Sequence, residues 1–196
     1  PAAEEIQELS FWMTMRTPTK ESVRCETMFI RPRANVSTVG VTVNETTMES
    51  DSHADTFVLG GGLEILDHET PVNVQGYDPS QGLRQFRTIS GALAFVHPYS
   101  GQRYHLVVHQ AVHIPDLPHH LLCPMQCRAH GTVVNDCPRI YCVAPDAESH
   151  SIVAADEHGQ NVVLPFFLRG VTSCLAVEAL SREEWEEHEY PRITLS

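Results

Sequence analysis

Acidic and hydroxyl side chains cluster near residue 51, in the part of the sequence best suited to chemistry. Asp51, Ser52 and Asp55 lie within five positions, and a β-prone run at residues 56–59 follows them directly. Two carboxylates that share one proton can hydrolyse a peptide bond, because one activates water while the other polarises the scissile carbonyl. A chain of 196 residues is too short for two full lobes, so the second carboxylate would come from a two-fold partner.

Patterned segments on both sides of Asp51 predict a mostly β fold. Valines at alternate positions of residues 39–43 are typical of a half-buried strand, and residues 46–50 can return antiparallel to them. Two further strands are predicted at residues 86–96 and 103–114, because both segments are rich in β-prone side chains and a turn signal separates them.

Two short helical segments are predicted near the end of the chain. Residues 121–129 could form one or two helical turns despite Pro124. Ser181 and Glu184 have the spacing of a capping box, which predicts that a helix begins there.

The segment from Asp51 to Asp55 resembles the Asp-Thr/Ser-Gly-Ala-Asp motif of retroviral and retrotransposon aspartic proteases, the retropepsins. The preceding VSTVGVTVNETTMES resembles the hairpin that leads into that motif. The resemblance implies that Asp51 is the catalytic aspartate, that the Ser52 hydroxyl ties two active-site loops together, and that Ala54 packs beneath the loop. It also implies that Asp55 is a structural aspartate that touches the substrate backbone.

A second stretch, VHIPDLPHHLL at residues 112–122, is similar to the "nVLyVPdLrhNLLS" stretch of copia-type retrotransposon polyproteins. In retropepsins, a strand followed by a short helix bearing Leu-Leu closes the fold, and that helix supports the catalytic loop. The two matches cover residues 36–131. They imply a closed β-barrel lobe with one short C-terminal helix, working as a homodimer.

Three positions depart from the family's pattern. His53 stands where the motif has glycine, and its ring would either crowd the carboxylates or sit outward and bias their protonation. Ser50 stands where an apolar residue is usual. His119 occupies the position of an arginine that pairs with the second aspartate, so a His119–Asp55 pair would be charged only at lower pH.

Glycine-bearing turns between the two motifs are candidates for a flap, the hairpin that covers the substrate in retropepsins. One candidate is the turn that contains Gly76, Tyr77 and Gly82. The tip at Ser100 and Gly101 is a second candidate, and a plain surface turn is an equally open interpretation.

Cysteines and histidines allow an alternative interpretation. Cys123, Cys127 and His130 have a spacing that falls loosely within the range of zinc ligands, which would make this a zinc-stabilised structural domain. Buried free thiols are the favoured interpretation, and we expect neither a metal nor a cofactor. The six cysteines are scattered and no secretion signal is visible, which indicates reduced thiols in a cytosolic setting.

Charge and hydropathy argue against two classes of partner. The net charge is −12, from 25 acidic and 13 basic residues, which argues against nucleic-acid binding because phosphates attract clustered positive charge. No apolar run approaches the ~20 residues that span a bilayer, so no membrane partner is expected. The expected partners are a second copy of the chain and a polypeptide substrate. The expected location is the cytoplasm, including virus-like particles.

Together these observations predict an all-β, retropepsin-like aspartic endopeptidase that processes a retrotransposon-type polyprotein. Residues 1–30 are predicted to be an N-terminal extension, residues 31–143 the protease domain, and residues 144–196 a partly helical C-terminal extension. Two alternatives stay open. One is a catalytically silent dimerisation or peptide-binding module, disabled by His53, and the other is the zinc-stabilised domain.

Overall fold

The computed structural model describes residues 8–10, 45–75 and 82–196, and within these ranges the chain is mostly β, which confirms the predicted all-β class. The strands are β1 (Glu8–Ser10), β2 (Glu45–Ser50), β3 (Val58–Leu59), β4 (Glu64–Gln75), β5 (Leu83–Val96), β6 (Arg103–His113), β7 (His120–Leu122), β8 (Val133–Asn135), β9 (Ser151–Ala155), β10 (Asn161–Pro165), β11 (Phe167–Arg169), β12 (Thr172–Glu178) and β13 (Arg192–Thr194). The α-helices are α1 (Pro124–Ala129) and α2 (Arg182–Glu186), and a 3-10 turn spans Arg139–Tyr141.

Ten of the described strands form one sheet in the order β1-β4-β5-β12-β2-β7-β3-β6-β13, with β11 on the edge of β12. The other three strands in the described ranges, β8, β9 and β10, form a separate antiparallel sheet. Because β5 also pairs with β6, the pairings run in a ring through β5, β12, β2, β7, β3 and β6. Two links of this ring, β5–β12 and β3–β7, consist of single residue pairs, so a closed barrel stays a prediction.

The long strands β5 and β6 form where the sequence predicts them. Their connecting turn contains Gly101 with a φ of 70°, a backbone conformation that glycine adopts without a steric penalty. Residues 90–95 of β5 are buried without alternation, because the main core covers one face and a smaller cluster around Trp185 of α2 covers the other.

Strand β2, which leads to Asp51, is paired on both edges. β12 pairs with it antiparallel from Glu45↔Glu178 to Glu49↔Cys174, and β7 pairs with it parallel on the other side. The antiparallel partner of β2 therefore comes from the C-terminal part of the chain. The strand predicted from the valines of residues 39–43 lies outside the described residues.

Helix α1 begins later than the sequence analysis predicts. His120–Leu122 is a strand, and the helix starts only at Pro124, so the prediction of a helix over residues 121–129 was wrong in its first turn. Proline disfavours helical geometry in the preceding residue but fits the first helical position. Cys123 is consequently the N-cap, and its Sγ accepts a hydrogen bond from the Gln126 N–H at 3.3 Å.

Helix α2 begins where the capping pattern predicts. The Ser181 hydroxyl accepts a hydrogen bond from the Glu184 N–H at 3.2 Å. Trp185 then packs against Ala92, Ala94 and Leu180. Among the described residues, no helix is long and apolar enough to cross a membrane.

The main core includes side chains from the C-terminal segment. Leu175, Val177 and Ile193 are fully buried in the same cluster as Met48 of β2 and Phe57. Full burial of an aliphatic side chain contributes about 1.5–3 kcal/mol. The segment predicted as an extension thus adds three strands, β11, β12 and β13, to the main sheet and side chains to its core, while the predicted domain boundaries themselves stay a prediction.

Candidate active site

The loop that holds Asp51 connects β2 to β3, and β7 lies between these two strands in the sheet. β7 is inserted between β2 and β3, because it pairs parallel with β2 and antiparallel with β3 through Val58↔Leu121. The Asp51 N–H donates to Leu122 O at 3.0 Å, so this loop begins at the end of the β2–β7 pairing. The loop is therefore fixed at both ends by the short strand β7.

Two backbone N–H groups within the loop hold Asp51, one at its carboxylate and one at its main-chain carbonyl. The His53 N–H donates to Asp51 Oδ1 at 2.9 Å, and the Ala54 N–H donates to Asp51 O at 3.3 Å. The Asp51 side chain is 24% exposed. It therefore has one oxygen held by the backbone while part of its surface faces solvent, as a carboxylate that contacts a substrate requires.

The side chain of His53 points outward. It is 63% exposed, its Nδ1 lies 3.3 Å from Ser52 Oγ, and the same nitrogen is 3.8 Å from Asp51 Oδ1, beyond hydrogen-bond distance. The backbone of His53 is not in the left-handed region, so this position does not need glycine. Of the two arrangements that the sequence left open, the structure has the outward one.

The other predicted loop residues lie on opposite sides of the loop. Ala54 is buried in the main core beneath it, whereas Ser52 and Asp55 are exposed. An exposed Ser52 is accessible to a second copy of the chain. The predicted His119–Asp55 pair stays a prediction.

Helix α1 supports the far side of the loop through Gln126 and Cys123. Gln126 Oε1 accepts hydrogen bonds from the Phe57 N–H at 2.8 Å and the Thr56 hydroxyl at 3.0 Å, and its Nε2 donates to His109 O at 3.0 Å. The Cys123 thiol donates to Ala54 O at 2.9 Å. The sequence analysis missed Gln126, and the only local signal was its place in the helix that follows Leu121-Leu122.

The three candidate zinc ligands do not converge. Cys123 and Cys127 are fully buried in the main core, while His130 is exposed at the end of α1. Burial raises the pKa of the Cys123 thiol, and it raises the pKa of Cys127 to about 12, which favours the neutral thiols. In the part of the chain that the structure describes, no three His, Cys, Asp or Glu side chains form a group that could hold a metal.

His120 links β7 to the end of β3. Its Nδ1 accepts a hydrogen bond from the Gly60 N–H at 3.0 Å, and its Nε2 is buried without a hydrogen-bond partner. Burial, with a smaller contribution from His119, lowers the pKa of His120 to about 4. A Cβ at Gly60 would come within 2.7 Å of His119 O, so only glycine allows this close approach.

A cleft with a volume of about 510 Å³ opens beside Asp51. Its apolar lining residues belong to a cluster that also contains Val72, Val112, Val74 and Phe86. Glu49 also lines the cleft, and its carboxylate forms an ion pair with Arg169 of β11. The lining residues are Glu49, Ser50, Asp51, Val58, Ile114, Leu117, His119, Leu121 and Thr172. Thr172 belongs to β12, so the C-terminal segment forms part of the wall.

The two flap candidates lie at opposite ends of the long strands. The Ser100–Gly101 tip lies at the far end of β5 and β6, because eight residues, about 27 Å of extended strand, separate Val96 from Thr88, the residue that pairs with Val112. The β4–β5 hairpin instead extends past the end of β6, and its Val74 and Phe86 pack against the cleft wall. Gly82 opens β5 with a φ of 69°. Gly76 and Tyr77 lie outside the described residues.

Comparison of the chain with family models, curated proteins and solved structures finds no match.

Proposed function

We propose that the chain is a retropepsin-like aspartic endopeptidase in which Asp51 from each of two copies forms the catalytic dyad. The observation that carries the proposal is the placement of Asp51 at the edge of the cleft, 24% exposed and held by the His53 N–H. A carboxylate in this position can accept a proton from a water molecule that faces a peptide carbonyl.

The frame around Asp51 supports the same conclusion. A catalytic carboxylate must be held rigidly, because small displacements reduce the rate strongly. β7 fixes both ends of the loop, and the hydrogen bonds of Cys123 and Gln126 fix its far side. A ring of paired strands around a buried core would form the barrel lobe that the resemblance implies.

The second carboxylate of the dyad is assigned to a second copy of the chain. Among the described residues that line the cleft, Glu49 carries the other carboxylate, which is already engaged in an ion pair with Arg169. Two Asp51 side chains on a two-fold axis could share one proton, as the chemistry requires. The exposed Ser52 hydroxyl would then contact the loop of the partner copy.

The proposed substrate is an extended segment of the parent polyprotein. An extended peptide can pair with strand edges while its side chains enter pockets. The apolar wall formed by Val58, Ile114 and Leu121 favours a large apolar side chain next to the scissile bond. The outer part of the β4–β5 hairpin would cover that peptide as the flap.

The experiment that tests this function is cleavage of an unbiased peptide library between about pH 4 and pH 7.5, a range that brackets a carboxyl dyad. The expected result is cleavage that is abolished in Asp51→Asn and blocked by pepstatin-like inhibitors. Asp67→Asn, at an exposed aspartate of β4, is the matched control and should cleave like the wild type. A folded wild-type dimer that cleaves nothing would overturn the proposal in favour of the silent module.

A further inference from the structure

Two cysteines flank the 3-10 turn in the loop between β8 and β9. Cys137 precedes the turn and is exposed, and Cys142 follows it and is half-buried. The Tyr141 N–H donates to Pro138 O at 2.8 Å, which folds the chain back on itself between the two cysteines. Both thiols are consequently on the same side of one tight turn.

The two sulfur atoms lie around the same backbone oxygen. Cys137 Sγ is 3.8 Å and Cys142 Sγ is 3.6 Å from Pro138 O, and Cys142 Sγ is also 3.7 Å from Cys137 O. A disulfide requires that the two Cβ atoms approach within about 4.5 Å. Because both sulfur atoms already lie beside one carbonyl oxygen, a change of side-chain rotamer with a small adjustment of the turn would join them.

The loop around the pair is anchored at both ends. Arg128 of α1 forms an ion pair with Asp136 at 3.1 Å, just before Cys137. At the other end, His150 Nε2 lies 2.8 Å from the Ser173 hydroxyl of β12. These contacts hold the turn in place, so the proximity of the thiols is built into the folded chain.

The other described cysteines are inaccessible. Cys123, Cys127 and Cys174 are each fully buried. Among the described cysteines, an oxidant in solution therefore meets the Cys137–Cys142 pair first, because thiol oxidation follows exposure as well as thiolate content.

We propose that Cys137 and Cys142 form a reversible dithiol–disulfide site that hydroperoxides oxidise. In the first step, one thiolate attacks a peroxide oxygen, so that an S–O bond forms, the O–O bond breaks and water leaves after protonation. In the second step, the other sulfur attacks the sulfenic sulfur, the S–S bond forms, and the S–O bond breaks with loss of a second water. Two thiols and one hydrogen peroxide thus give one disulfide and two waters. A dithiol reductant reverses the reaction. This site does not depend on the proposed protease function.

Oxidation would restrain the exposed, partly apolar turn between Cys137 and Cys142. Ile140 and Tyr141 lie between the two cysteines and are 66% and 72% exposed. A disulfide across the turn would restrict its backbone and hold these side chains in one arrangement.

The test is treatment of the folded, full-length chain with hydrogen peroxide, followed by blocking of free thiols, digestion and mass spectrometry. The expected product is a peptide in which Cys137 is joined to Cys142, with a loss of about 2 Da that a dithiol reductant restores. Desolvation and the neighbouring Cys142 thiol raise the pKa of the Cys137 thiol, so its oxidation should accelerate as the pH rises.

Two variants provide the controls. Cys142→Ser removes the resolving thiol, so Cys137 should accumulate as sulfenic and higher acids with no intramolecular disulfide. Cys174→Ser removes a buried cysteine and should leave the disulfide yield unchanged. Recovery of Cys137 and Cys142 as free thiols in the peroxide-treated wild type would overturn the proposal, as would a dominant disulfide to any other cysteine.

Discussion

The side chain of Gln126 bonds the backbone of Phe57, the residue just before β3, where a neighbouring strand would otherwise pair. The Phe57 N–H donates to the Gln126 side chain, and the same oxygen accepts from Thr56. The amide nitrogen of Gln126 donates in turn to His109 O of β6. One side chain thus connects the loop that follows Asp51, α1 and β6.

Removal of this side chain should weaken the fold and the site together. We expect Gln126→Ala to lower the free energy of unfolding by about 2–3 kcal/mol, because a buried backbone N–H loses its partner. Gln126→Glu keeps the acceptor but turns a second carboxylate oxygen toward His109 O, so we expect a loss of about 1–2 kcal/mol, smaller than that of Gln126→Ala. Urea unfolding of the wild type and of both variants measures the two losses in the free energy of unfolding. Equal losses in both variants would show that the acceptor contact contributes nothing.

His53 should be replaceable. Because its backbone is not left-handed and its ring is largely exposed, we expect His53→Ala to change kcat/KM by less than about threefold, as for an ordinary surface substitution. His53→Gly should behave alike apart from a small entropic destabilisation. Steady-state kinetics with one efficiently cleaved peptide measures kcat/KM for both variants. A loss of 100-fold or more in both variants would mean that the ring takes part in the chemistry.

At the scale of single residues, the sequence predicts the Asp51 loop but not the side chain of Gln126 that holds it. Asp51, Ser52 and Ala54 are adjacent in sequence, so a local motif is enough to place them in one loop. Gln126 is 69 positions from Phe57, and no periodicity or turn signal connects the two. Contacts of this kind become visible only once α1 is placed beside the loop.

At the scale of the elements, the contact between His120 of β7 and the Gly60 N–H depends on pH. Folded His120 is neutral because its Nδ1 accepts the Gly60 N–H in a fully buried place, and its pKa is lowered to about 4. Between pH ~6.5 and pH ~4 the unfolded chain binds a proton at His120 that the folded chain does not. The free energy of unfolding must therefore fall as the pH falls through this window.

The His120 contribution should be measurable with one variant. We expect about 3 kcal/mol of stability to be lost between pH ~6.5 and pH ~4 through this residue. His120→Asn retains an acceptor for the Gly60 N–H but does not titrate, so its stability should fall less steeply over the same range. Chemical denaturation at several pH values gives both slopes. Identical slopes would contradict this account of His120.

Element positions were predictable where the signal is local. β5 and β6 follow β-prone runs separated by a turn, and α2 follows the Ser181 cap. The start of α1 was predicted wrongly because Pro124 separates a strand from a helix within one apolar run. The pairing of β12 with β2 has no local signal, since it joins residues more than 120 positions apart.

For the whole molecule, residues 144–196 should be required for folding. A chain that ends at residue 143 lacks β12, which pairs with β2, and lacks core side chains such as Leu175 and Ile193. Each buried aliphatic side chain contributes about 1.5–3 kcal/mol, so their loss exceeds the usual 5–15 kcal/mol of a domain once several are removed. We expect no cooperative thermal transition in the truncated chain. A sharp transition close to that of the full chain would show that the segment is dispensable.

Subunit mixing shows whether the dyad is shared between two copies of the chain. Wild-type protein is mixed with increasing Asp51→Asn at constant total concentration and allowed to exchange subunits, and cleavage of one peptide is followed. If each site needs Asp51 from two copies, an equal mixture retains about one quarter of the wild-type activity, because only pairs of wild-type subunits are active. Mixing with Asp67→Asn should leave the activity unchanged. Activity that falls only to about one half, in proportion to the wild-type fraction, would contradict a dyad shared between two subunits.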